Sequence, residues 1–215
     1  MNTKDENHTN ELELLKKLFK RVKKTTRCRY HASRRLMRHH RFSQWTIALL
    51  STGLIFIPLI QIFKATFEIP INQLNVLQTI LAILVLVFSL LLGQENFFSK
   101  SKDMHRNGVE LGRLDRKIEG FIEKNKTKKE QLQLYRYEEL TNEYYDILDK
   151  YENHEPIDFE NAKLNVKNEN DVTNYWCIKI KIFIQCLFIF SLYLIPCSMI
   201  LILFILYIYK VTFYQ

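Results

Sequence analysis

The chain has 215 residues, with 31 Lys+Arg against 23 Asp+Glu, a net charge of +8 and 47% hydrophobic residues. This length excludes two full enzymatic domains, and 5 Gly and 4 Pro exclude a collagen-like or Gly/Pro-rich disordered chain and leave little material for Gly-rich phosphate loops. The mean hydropathy of −0.14 reads as soluble, but the apolar residues lie in three blocks with the charges between them, which is the pattern of a small helical membrane protein.

In chain order, residues 1–41 form a basic segment with 13 Lys+Arg and 4 Asp+Glu. Leu15, Leu18, Phe19 and Val22 recur at three- and four-residue steps, which predicts an amphipathic helix over 9–24 capped by Thr9 or Asn10. Thr25–Thr26 is expected to interrupt it before a second basic helix. Trp45 to Phe63 is a run of 19 residues without a charge. As a helix it reaches about 28 Å, close to the hydrocarbon thickness of a bilayer. Val76 to Leu92 is a second, shorter run, and together they predict a two-span hairpin over 42–96 joined by a turn at 64–75. A core helix of a soluble protein would be shorter, and a signal peptide would begin earlier and carry an A-x-A site.

Past the second span no turn signal appears, so this helix is expected to continue unbroken into the next region. Met104, Leu111, Leu114, Ile118 and Phe121 form one apolar stripe, and Tyr137, Leu140, Tyr144, Ile147 and Tyr151 another. With a polar turn at Lys124–Lys129, they predict an antiparallel helical hairpin over 97–160. A linker over 161–181 leads to Ile182–Tyr209, which is uncharged for 28 residues and reads as a third, C-terminal span kinked at Pro196, with a re-entrant hairpin as the other reading; 210–215 is a tail. The fold class is thus an all-α membrane protein: a transmembrane helical hairpin, a long cytoplasmic helical extension and a third transmembrane helix.

Basic residues flank the spans at Arg34, Arg35, Arg38 and Arg41, at Lys100, Lys102 and Arg106, and at Lys179 and Lys181. The excess of Lys and Arg in short flanks sets orientation, so the N-terminus and the 94–181 region are expected in the cytoplasm of a multi-pass inner-membrane protein. The same basic clusters would suit nucleic acid, but lipid headgroups and topology account for them, and direct nucleic-acid binding is not expected.

Chemistry is sparse. No Walker loop, G-x-S-x-G, H-E-x-x-H or EF-hand loop is present, and Cys28, Cys177, Cys186 and Cys197 have no C-x-x-C spacing. No catalytic residue, cofactor or metal is assigned. His39-His40 is expected to be a solvated interfacial pair. Asn153 to Asp158, with His154 and Pro156, concentrates polar chemistry outside the helices; Pro156 should end the preceding helix and Asp158 could cap the next, and a turn is favoured over a ligand site. Ser89-x-x-x-Gly93, on one side of span two with Ala82, lets backbones approach, and Gly108-x-x-x-Gly112 repeats the spacing, which suggests assembly within or between chains. Pore or assembly candidates are Gln61, Gln78, Ser89, Gly93, Gln94 and Glu95, because polar residues in a membrane usually face protein or water.

Tyr30-His31-Ala32-Ser33-Arg34-Arg35-Leu36 before the first span, and Met104-His105-Arg106-Asn107 with Glu110-Leu111 after the second, resemble the SLATT family, the SMODS- and SLOG-associating two-TM effectors. Tyr151-Glu152-Asn153-His154-Glu155-Pro156-Ile157-Asp158-Phe159 is similar to the signature of its fifth subfamily. The resemblance covers about residues 10–205 and makes Met104, His105, Arg106, Asn107, Asn153, His154, Pro156 and Asp158 the cytoplasmic signature. It implies a non-enzymatic membrane effector of a prokaryotic conflict or antiphage system that homo-oligomerises and forms a pore or disrupts the membrane on a cytoplasmic signal, killing or arresting the cell. It also implies a nucleotide second-messenger synthase or a reverse transcriptase encoded nearby. The other function class is a passive membrane anchor or scaffold for such an enzyme.

Overall fold

The computed structural model describes residues 3–62, 71–127 and 134–164, the loop positions among them, and beyond these residues 176, 178–184, 187–188, 190–191, 193, 198, 202, 205 and 209. All regular structure among the described residues is helical: α1 (Thr3–Ile62), α2 (Ile71–Glu95), α3 (Phe97–Thr127), α4 (Leu134–Asp149) and α5 (Pro156–Leu164). The chain divides into two compact units, residues 1–36 with 99–182, and residues 37–98 with 183–215.

In the first unit, the early part of α1 packs with α3 and α4. Leu15, Leu18 and Val22 of α1 meet Leu111, Leu114 and Ile118 of α3 and Leu140, Tyr144 and Ile147 of α4, all buried. Each set recurs at three- and four-residue steps, so each helix turns one stripe to a common core. Contacts fix the directions. Tyr151 bonds Glu110 while Glu143 pairs with Lys117, so α3 and α4 run antiparallel. Arg21 reaches Tyr145 and Thr25 reaches Tyr144, while Arg29 reaches Glu152, so α4 follows α1 in the same direction.

Four expectations change. Thr25–Thr26 does not interrupt the first helix: Thr25 Oγ1 donates to the Arg21 carbonyl at 3.0 Å and Thr26 Oγ1 to the Val22 carbonyl at 2.9 Å. Both hydroxyls are satisfied one turn back, which removes their pull toward a turn, and α1 runs unbroken. The second span does not continue without interruption; it breaks at Asn96, whose φ of 44° lies in the left-handed region that Asn tolerates better than most residues. Pro156 does not end the preceding helix, since α4 has already stopped at Asp149; it begins α5 instead. α5 itself runs to Leu164, into the stretch read as linker.

In the second unit, Leu50 and Ile57 of α1 pack on Leu81 of α2, with Leu54, Leu74, Leu77, Val85 and Phe88 around them. Outside this seam both helices present apolar surface: Ile55 is 63% exposed, Leu86 60% and Leu90 60%. A soluble core would bury these side chains, so the surface suits lipid. Both helices are long and apolar enough to cross a membrane. Of the third expected span only part is described, each described position helical, and Pro196, Cys177, Cys186 and Cys197 lie outside the described residues.

Candidate functional site

The sequence segments that carry the resemblance converge in the first unit on a buried polar cluster. α5 starts it. Pro156 occupies the first helical position, where its missing N–H costs nothing, and Asp158 reaches back to accept the Glu155 N–H at 3.1 Å while its own N–H donates to the Glu155 carbonyl at 3.0 Å, which caps the helix start. The same carboxylate, fully buried, takes a forked pair from Arg35 of α1: Nε to Oδ1 at 3.0 Å and Nη2 to Oδ2 at 3.1 Å. The third guanidinium nitrogen, Nη1, lies 3.0 Å from Glu155. Burial opposes the Arg35 charge, but the bonds to Asp158 and Glu155 outweigh it and hold its pKa above the usual value.

Six residues earlier on α1, Arg29 is wholly buried. Among the described residues no carboxylate pairs with it. Its Nη1 donates to the Glu152 carbonyl and to Met104 Sδ at 3.3 Å, and its Nη2 donates to Asn153 Oδ1 at 3.4 Å. Burial therefore lowers its pKa. His154 stands beside it, its Nδ1 buried and, among the described residues, without a hydrogen-bond partner; burial and the Arg29 charge push its pKa down. Cys28 is buried here as well, and burial followed by the charge of Asp158 raises its pKa.

α3 completes the cluster. Asn107, fully buried, donates to the Ile147 carbonyl at 2.8 Å, and Ser101 Oγ to the Ser33 carbonyl at 2.9 Å. His105 sits edge-on to Tyr30 with ring centroids 5.6 Å apart. Tyr30 also covers Gly108: a Cβ there would stand 3.1 Å from the ring, so the Gly108–Gly112 spacing serves packing inside the chain. Arg106 points away, 3.9 Å from Asp103, and with His105, Asn153 and Pro156 it is one of four exposed residues of the signature. The sequence reading missed Arg29. Its signal was position: Leu15, Leu18, Val22, Arg29 and Leu36 share one helix face, so a charge there had to be buried.

The membrane candidates belong to the second unit. Gln61 donates to Asn75 Oδ1 at 3.1 Å, bridging α1 and α2. Counted at about 100° per residue, Gln78, Ala82, Ser89 and Gly93 fall on a strip about 60–120° round from the Leu81 seam. Gln78 is half-buried there, and Ala82, Ser89 and Gly93 are exposed. Among the described residues, a Cβ added at Gly93 would meet nothing within 4 Å. Gln94 and Glu95 are exposed at the end of α2. The histidine pair differs from expectation: neighbouring residues point to different sides of a helix, and aromatic residues far away in sequence cover one of them. His39 is buried, stacked between Phe97 and Phe190 at 5.2 and 5.0 Å, whereas His40 is half-buried against Phe98. No group of three metal-ligating side chains occurs among the described residues.

An apolar helical pair with a lipid-suited surface, in one chain with a helical unit closed by a buried polar clamp, defines an all-α membrane protein of the two-span class. The chain belongs to the SMODS and SLOG-associating 2TM effector domain family 5, which it matches over residues 11–209. It is thus a membrane effector. No curated protein or solved structure is similar enough to match it.

Proposed function

We propose that this effector resides in the inner membrane with its N-terminus in the cytoplasm, assembles with copies of itself, and opens a pore that kills or arrests the cell when a cytoplasmic signal arrives. It performs no catalysis. The observation that supports assembly is the strip of Gln78, Ala82, Ser89 and Gly93, which lies beside the α1–α2 seam and is not covered by it. Lipid gives apolar helices no reason to associate, so small residues that permit close approach and a polar side chain that seeks a partner supply the drive. A third span over 182–209 would complete each protomer. The basic flanks support the orientation.

The signal acts by binding the open assembly more tightly than the resting one. A synthase of nucleotide messengers or a reverse transcriptase encoded nearby suits the family's association with such systems. Ion flux from liposomes holding the purified chain tests the reading. Flux that rises on addition of an activating cell extract supports it. Silent liposomes, with killing that depends on a partner enzyme's active site, would instead make the protein an anchor for that enzyme.

A further inference from the structure

The first unit carries a groove of about 900 Å³ between α1 and α5 that no part of the polar clamp uses. Its rim holds six cations: Lys16, Lys20, Lys23, Lys24 and Arg27 from α1 and Lys163 from α5. Its apolar interior includes Phe19, Phe159, Ala162 and Ile178. Three of the ammonium groups rest on aromatic rings. Lys23 Nζ is 5.1 Å from the Phe19 centroid, and Lys24 and Lys163 are 4.1 and 4.5 Å from that of Phe159. A ring face holds a cation in position without neutralising it. Among the described residues acidic groups nearby are few: Glu160 lies 3.5 Å from Lys163, and Asp115 of α3 acts on Lys23 and Arg27. Among the described residues, Lys16, Lys20 and Lys24 have no carboxylate within ion-pair distance. So many like charges around one cavity repel one another, and an anion bound there relieves the repulsion.

The geometry points to a nucleotide site: a ligand with two or more phosphates and a flat ring, its phosphates on the lysines and its ring on the apolar interior. The volume falls in the range of small-molecule sites. From Lys16 to Arg27 the cationic wall extends about 16 Å along α1, room for more than one phosphate. Cations stand on both walls with the apolar surface between them. A diacyl lipid has its charge at one end and needs an apolar exit for its chains, which this arrangement does not favour. The site's role as the signal sensor rests on the pore reading above; the binding itself does not.

The test titrates ATP and the 5′-phosphorylated dinucleotide pApA against the full chain in neutral phosphatidylcholine nanodiscs, with tripolyphosphate as competitor and flux measured separately. The expected result is saturable binding of at least one nucleotide, tighter than tripolyphosphate. The exposed pair of changes Lys20→Glu and Lys24→Glu should weaken it by about tenfold or more, equal to about 1.4 kcal/mol. Lys17→Glu, on the same helix but paired with Glu13 outside the groove, should leave it unchanged. Four results overturn the proposal: neither nucleotide binds; tripolyphosphate binds as well as they do; Lys17→Glu weakens binding equally; or the groove engages only phosphatidylglycerol nanodiscs. Binding without any change in flux keeps the site and removes its role as trigger. Flux evoked by the cell extract without nucleotide binding removes the site and keeps the pore.

Discussion

Asp158 is the residue on which the first unit closes, because one carboxylate both caps α5 and neutralises a buried arginine. Asp158→Ala leaves the Arg35 charge buried with only Glu155, itself largely exposed, as a partner. The expected loss is about 3 kcal/mol or more, read as a lower thermal midpoint in detergent, and Arg35→Met added to it should recover part of that loss. His154 makes stability depend on pH. Its folded-state pKa lies below the ordinary 6.5, so the unfolded chain takes up the proton first as pH falls. Stability is therefore full above pH 6.5 and declines as pH drops from there toward the folded pKa. His154→Gln should flatten the melting temperature across that window; an unchanged slope would assign the dependence to another group.

At the scale of elements, glycines set how closely α3 meets α1. A methyl group at Gly112 would meet its nearest neighbours, on Thr26 and Tyr30, at 4.0 Å, an ordinary contact. Gly112→Ala should therefore stabilise the chain by about 0.5–1 kcal/mol through helix propensity alone. At Gly108 the ring of Tyr30 stands at 3.1 Å, with His105 against it, so Gly108→Ala should give none of that gain and Gly108→Leu should lower the melting temperature. Two glycines one turn apart thus predict different outcomes for the same substitution. Helix ends follow the same logic of local satisfaction. The Thr25 and Thr26 hydroxyls are spent on α1's own carbonyls and the helix continues, whereas Asn96 takes a left-handed conformation and the helix stops.

For the whole molecule, the exposed strip on α2 carries the expected assembly. Ser89→Leu and Gly93→Leu each add bulk where neighbouring copies would approach, and neither touches the Leu50–Leu81 seam. Both variants should insert into membranes normally, with liposome flux and toxicity reduced to background. Full toxicity in both would place the assembly surface elsewhere. The apolar runs, the three- and four-residue stripes and the polar signature were all readable along the chain, because lipid and a helical core each impose a period or a length that a sequence cannot hide. Partnership across long separations was not. Only the packed structure showed that Arg29 is wholly buried against a backbone carbonyl, a sulfur and an amide oxygen, that Arg35 and Asp158 form one clamp, that His39 is sandwiched by aromatic rings, and that lysines of α1 and α5 surround one groove. Spacing along a helix fixes which residues share a face. What covers that face is decided by the tertiary packing, since a charge or an imidazole settles wherever distant side chains offset the cost of leaving water.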